Sequence, residues 1–206
     1  MTLAAMDRKR PGRDEILALA IEEFAAHGYE GATTAGIARR AGVTQPLVHH
    51  HFGSKLGLYE AAIDDVFGRF VREFEVAQAE SAALASRERL EHLLIVLLRF
   101  NAREPSFSGL RHGARGEAYE LLYERWLTKL VGIFKSEIAL AIKRGAVRDD
   151  IDRRCLFFLI VGALDAPFRD GELSRRSFGL DLQKPKALEQ YARSLLTSLF
   201  EGIGVA

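Results

Sequence analysis

Between Thr33 and Lys55 lies a run of amide, hydroxyl, imidazole and ammonium side chains suited to recognition rather than bond-making. Gln45 carries an amide able to pair with adenine through N6 and N7, and Pro46 or Leu47 can meet a thymine methyl. His50 and Lys55 suit phosphate oxygens, contacts that position a reader without specifying sequence. Backbone amides at a helix start near Thr33 and Thr34 also suit a phosphate, with the Thr34 hydroxyl adding a contact. Thr33 serves equally well as a plain helix cap. Thr44, Gln45, Pro46, Leu47, His49 and His50 are expected to face outward, with Val48 and Phe52 turned inward. From Gly31 to Tyr59 there is no Asp or Glu, whereas roughly four would be expected at the chain's average acid content. The cations in that window are Arg39, Arg40 and Lys55. His49, His50 and His51 do not suggest a metal site, because consecutive helical side chains diverge by about 100° and cannot converge on one ion.

Two short helices must hold these side chains. Ile37, Ala38 and Ala41 make one apolar face, Gly42 can end that helix in the left-handed region, and Val43, Leu47 and Phe52 begin a second face. This is a helix-turn-helix pattern, whose second helix can enter a DNA major groove. Before it, Leu17, Ala20, Ile21 and Phe24 form a stripe on a helix that starts at Asp14 and stops at Gly28. After it, Ser54 caps a long helix running to about Glu80, long enough to seal the first three helices and join whatever follows.

The remainder is helical in pattern too. Helices are expected over Arg87–Arg103, Glu117–Arg144 (stopped by Gly145), Arg153–Phe168 (capped by Asp152) and from Pro185 onward. Residues 106–116, interrupted by Gly109, Gly113 and Gly116, read as a short helix within a loop, and 169–184 as a surface connection. No strand pattern or internal repeat is present. The fold class is all-α, with about nine helices. A basic N-terminal segment, 1–9, reads either as a disordered tail or as an arm reaching a phosphate or the minor groove.

Composition narrows the alternatives. The 206 residues carry a net charge of only +1 and a pI near 7.9, so any nucleic-acid affinity has to come from a local patch. The single cysteine, Cys155, excludes an internal disulfide framework and reads as a small buried hydrophobe beside Leu156, Phe157 and Phe158. The longest apolar run, Cys155–Leu164, is about half a membrane span, the N-terminus lacks the apolar segment of a secretory signal, and a reducing cytoplasm is the expected compartment. An α-helical enzyme is the rival reading, but there is no metal-ligand spacing, phosphate-cradling glycine loop or nucleophile elbow. A protein-interaction module is a second rival, and it would have no need of the acid-free window.

The stretch from Phe24 to Leu58 resembles the TetR family of bacterial transcriptional regulators. The resemblance rests on Phe24, Gly28-Tyr29, Thr33-Thr34, Ile37-Ala38, Ala41-Gly42-Val43-Thr44, His51-Phe52, Ser54-Lys55 and Leu58, about a quarter of the chain, and on the helix order over nearly all of it. His49 stands where the family usually has tyrosine and Leu56 where glutamate is common, so the tyrosine's phosphate contact does not carry over. The resemblance implies a DNA-binding domain over 10–70, with its helix-turn-helix at about 33–52, and a ligand-binding and dimerisation domain over 71–206. It further implies a homodimeric regulator, most often a repressor, that reads a near-palindromic double-stranded operator and is released by a small-molecule effector, with no membrane partner and no cofactor. Candidates for the effector pocket are His92, Phe100, Phe107, Tyr119, Tyr123, Trp126, Phe158 and Asp165. Asp165, an acid in an apolar helix, would bind a cationic or hydroxylated ligand or pair with an arginine across the dimer. Candidates for the dimer interface are Leu156, Ile160, Leu188, Tyr191, Leu195 and Leu199.

Overall fold

A computed structural model describes residues 12–203, so the basic segment 1–9 lies outside the described residues. Eleven α-helical segments and no strand occur among the described residues. None of these helices is long and apolar enough to cross a membrane.

Helix α1 (Arg13–Gly31) opens with Asp14 and Glu15 against the positive end of its dipole. Its stripe, with Leu17, Ala20, Ile21 and Phe24, is buried, and Gly28 breaks the helix at φ 69° before one more turn. Helix α2 (Thr34–Ala41) is capped by the Thr33 hydroxyl, which accepts from the Gly36 N–H at 3.0 Å, and ends at left-handed Gly42. Helix α3 (Gln45–Phe52) carries Pro46 in its first turn, where no needed hydrogen bond is lost. The Ser54 hydroxyl then caps α4 (Lys55–Glu80), whose 26 residues span about 39 Å. One apolar core runs without a break from Ile16 of α1, along α4, to Leu164, so the reading helices and the rest of the chain share a single packed interior.

Helices α5 (Ser86–Arg103) and α6 (Ser106–Gly113) follow. Helix α6 is the short helix expected within 106–116, and its glycines mark close packing. A Cβ on Gly109 would lie 2.5 Å from the Ala25 carbonyl oxygen, and one on Gly113 only 2.6 Å from the Gly28 Cα. Helix α7 (Gly116–Leu122), a π turn (Tyr123–Leu127) and α8 (Thr128–Lys143) run on as one rod, which Gly145 terminates at φ 74°. Asp152 caps α9 (Arg153–Arg169) by accepting from the Arg154 N–H at 2.8 Å. The expected surface connection contains a further helix, α10 (Gly171–Phe178). Its Glu172 pairs with Arg175 and Arg176, and Gly179 stops it in the left-handed region, local signals that a search for apolar periodicity passes over. Helix α11 (Pro185–Ile203) completes the chain. At the end away from α1, Arg89 forks onto Glu137 at 2.7 and 3.1 Å while also donating to the Gln78 carbonyl and the Ser81 hydroxyl, tying α4, α5 and α8 together.

Candidate functional site

Two regions of this scaffold carry convergent polar groups. The first is the outer face of α2 and α3. Thr44, Gln45, Pro46, His49 and His50 are exposed there, Leu47 is half-buried and Val48 is in the core. The side chains already hold one another. Gln45 Nε2 donates to Thr34 Oγ1 at 3.0 Å and approaches His49 Nε2 at 3.3 Å, while His49 Nδ1 lies 3.0 Å from the Gly53 carbonyl oxygen. A carbonyl only accepts, so the geometry assigns the His49 proton to Nδ1 and leaves Nε2 to accept from Gln45. Both recorded side-chain contacts of Gln45 are thus made by Nε2 and not by its carbonyl oxygen. Thr34 is 8% exposed and its hydroxyl accepts from Gln45, while exposed Thr33 accepts its cap bond from Gly36; both O–H groups remain able to donate.

The acid-free window also looks different in three dimensions. Helix α1 delivers Glu22 and Glu23 to Arg40 at 2.7 and 2.8 Å, neutralising a cation that no neighbour in sequence opposes. Lys55 is half-buried, with its ammonium donating to the Glu30 carbonyl at 3.3 Å and lying 4.5 Å from the centre of the Tyr29 ring. Arg39 is exposed, and Arg13 sits 5.0 Å over the Phe52 ring at the end of α3.

The second region is an open cavity of about 480 Å³ lined by residues from α4 to α9. Five of the expected pocket residues line it, namely Phe107, Tyr119, Tyr123, Phe158 and Asp165. Three do not. Phe100 is core, with its ring centre 5.1 Å from that of Phe70. Trp126 turns toward α4 and donates to Asp64 at 2.9 Å, and His92 lies elsewhere on α5. The π turn explains why Tyr119, Tyr123 and Leu127 share the wall, because its i→i+5 bonding takes more residues per turn and holds a four-residue spacing on one face.

Sequence reasoning missed Asn101, Arg111, His112 and Arg115, which form the polar end of the cavity. The signal is the cluster of three bases between 111 and 115, at the end of the short helix expected within 106–116, which nothing in the sequence directs toward a cavity. These side chains also explain Asp165, which is 5% exposed. Arg111 forms an ion pair with it, His112 Nε2 lies 2.7 Å from its Oδ2, and Ser108 donates to its Oδ1 at 2.8 Å. Burial alone would raise its pKa, but the His112 hydrogen bond, the Arg111 charge and the Ser108 hydrogen bond outweigh that and hold it at about 2. The acid is therefore partnered within its own chain, and no arginine from a second copy is needed to balance it.

The residues expected at a dimer interface fall on the inward side. Leu156 and Leu199 are buried within the chain, and Ile160, Leu188, Tyr191 and Leu195 are half-buried. The Tyr191 hydroxyl donates to the Ala163 carbonyl at 2.7 Å, fastening α11 onto α9. The apolar stripe chosen by periodicity is thus the one that packs against the chain's own helices. The side left open on α9 carries Cys155, Phe158, Leu159 and Gly162, at i, i+3, i+4 and i+7. Cys155 is exposed, contrary to the expectation from its apolar neighbours, and Phe158 is 72% exposed.

Comparison with known proteins agrees with this architecture. Residues 16–62 match the family described as bacterial regulatory proteins, tetR family. The nucleoid occlusion factor SlmA of Aliivibrio fischeri is 30% identical over 178 residues, covering 80% of this chain and 85% of that protein. The transcriptional activator FasR of Mycolicibacterium smegmatis is 32% identical over 142 residues, 68% of this chain, and the chain spans only 59% of FasR's length. Among solved structures, the regulator FadR of Bacillus subtilis in complex with stearoyl-CoA superposes with a TM-score of 0.69 at 19% identity, covering 91% of this chain and 97% of that one.

Proposed function

This chain belongs to the tetR family of bacterial regulatory proteins, and we propose that it is a ligand-responsive transcriptional repressor. In this reading it is not an enzyme. It works in the cytoplasm as a homodimer on a near-palindromic operator, and an effector in the cavity releases it. The observation that carries the proposal is the position of α6. One face of that helix lies against α1, at Ala25 and Gly28, while Arg111 and His112 at its end belong to the cavity wall. A ligand that displaces those side chains acts on the same helix that supports the reading head.

In the operator complex, Gln45 reads a base while His50, Lys55 and the amides at the start of α2 contact phosphates. The two subunits meet through the open side of α9 around Phe158 and Leu159. The cavity wall runs along the rod from Tyr119 to Phe134, about 22 Å at the helical rise, with Arg111, His112 and Arg115 in its lining and phenylalanine, leucine and valine making up most of the rest. That shape suits an elongated amphiphile, and the stearoyl-CoA bound by the Bacillus subtilis FadR supports this ligand class.

A gel shift with the DNA upstream of the protein's own gene tests the reading. The expected result is a sequence-specific complex whose log affinity falls steeply and linearly with log salt, as phosphate contacts require, and which acyl thioesters dissolve. Equal binding to scrambled DNA would overturn it.

A further inference from the structure

Resting on the reading of the cavity as the effector site, a ligand chemistry is indicated by two unpaired polar atoms that belong to residues lining it. Three buried side-chain atoms lack a hydrogen-bond partner among the described residues: Asn101 Oδ1, Arg111 Nε and His92 Nε2. Two of the three belong to residues that line this one cavity. Asn101 is 3% exposed, and its amide cannot be reversed to remove the deficit, because Nδ2 already donates to the Leu97 carbonyl at 3.0 Å. Its Oδ1 is an acceptor without a donor. Arg111 places its guanidinium against Asp165, so its charge is balanced, yet its Nε–H remains a donor without an acceptor. A buried polar atom without a partner is a cost that folded proteins avoid unless something else completes it.

We infer that the effector is an apolar molecule bearing a polar group with both a hydrogen-bond donor and an acceptor, a hydroxyl or a secondary amide, which Asn101 Oδ1 and Arg111 Nε–H read as a pair. The apolar body lies along Leu130, Phe134 and Phe157, and the polar group sits where α5 and α6 approach each other. Because both protein atoms are buried, a ligand lacking the donor leaves Asn101 Oδ1 unpaired, and discrimination is correspondingly sharp. Asn101 is thereby a specificity-determining residue, and the charged trio of Arg111, His112 and Asp165 is the frame that positions its counterpart.

Matched probes test this on the full-length native chain by titration calorimetry. N-methyldecanamide offers an N–H and a carbonyl, and N,N-dimethyldecanamide the carbonyl alone; 1-decanol and its methyl ether make a second such pair. The donor-bearing member of each pair is expected to bind about tenfold more tightly. Asn101→Leu should remove that preference, while Arg111→Lys keeps the charge for Asp165, lacks the Nε–H and should weaken both amides alike. Better binding of the secondary amide than of the alcohol would identify an amide-bearing ligand, and the reverse a hydroxylated one; either supports the inference. Equal binding within both pairs would overturn the inference and leave the cavity as an effector site. Failure of all four probes to bind would overturn the inference and the amphiphile reading together, while the gel shift reports on DNA binding independently. Because the probe pairs are compared on the native protein, a variant that folds poorly does not decide the outcome.

Discussion

Gln45 is engaged before any duplex arrives, since its Nε2 is shared between Thr34 and His49. Reading adenine needs one of those hydrogens turned toward N7, so recognition exchanges a contact within the protein for one with the base. Gln45→Ala should therefore cost about 1–3 kcal/mol on the preferred operator and relax preference at one position. An unchanged preference profile across operator variants would rule Gln45 out as the reader. Asp165 gives a second prediction, with a definite sign. Its folded pKa of about 2 lies below the usual 3.8, so its pairing contributes stability at pH values above about 4 and loses it as pH falls through 2. Relative to Asp165→Asn, the native chain should be more stable by about 2 kcal/mol near neutrality, the worth of a shift of that size, with the difference narrowing between pH 4 and pH 2 in urea melts. A difference that stayed constant across that range would show that the carboxylate is not held by its α6 partners. Single residues were legible in the sequence only where their partners are close along the chain. The caps at Thr33, Ser54 and Asp152 could be read directly, whereas Arg40's neutralisation by Glu22 and Glu23 and Asp165's pairing with Arg111 join distant segments.

At the scale of elements, α6 shows where reading by residue type runs out. Glycines four residues apart look like breakers in a sequence, and here Gly109 and Gly113 are the surface that lets α6 approach the backbone of α1. The long helices were legible because their apolar periodicity persists over many turns. Helices α2 and α3 are as short as α6 and α10, eight residues each, but show apolar faces with a cap at Thr33 and a stop at Gly42, whereas glycines interrupt α6 and α10 is mostly polar, held by ion pairs and a glycine stop. The contrast between packed and free glycines can be measured. Gly109→Ala should destabilise the chain by more than about 1 kcal/mol, because the added methyl meets the Ala25 backbone and α6 must move to accommodate it. Gly132→Ala, in α8 with nothing within 4 Å of the new Cβ, should instead stabilise by up to about 1 kcal/mol through the lower entropy of the unfolded chain. If both substitutions shifted thermal unfolding in the same direction, the close approach of α6 to α1 would not be what requires glycine at 109.

Across the whole molecule, periodicity identifies apolar stripes without saying which stripe meets the chain's own helices and which is left for a partner. Helix α9 is apolar on more than one side, so its inward stripe, Leu156, Ile160 and Leu164, and its open stripe, Phe158, Leu159 and Gly162, look alike in sequence. Packing separates them. Leu199 is buried, so a charge there would disrupt the chain itself: Leu199→Glu is expected to lose cooperative thermal unfolding, and its sedimentation would say nothing about assembly. Leu159 is half exposed and lies outside the cavity wall, so a charge there leaves the interior intact. If the open side of α9 joins two copies, Leu159→Glu should keep the native melting profile, sediment as a monomer, and lose most of its affinity for a two-half-site operator, since two linked heads bind far more tightly than one. Its affinity for a single half-site should be unchanged, because that depends on α2 and α3 alone. A Leu159→Glu protein that still sediments as a dimer would move the interface away from this side of α9.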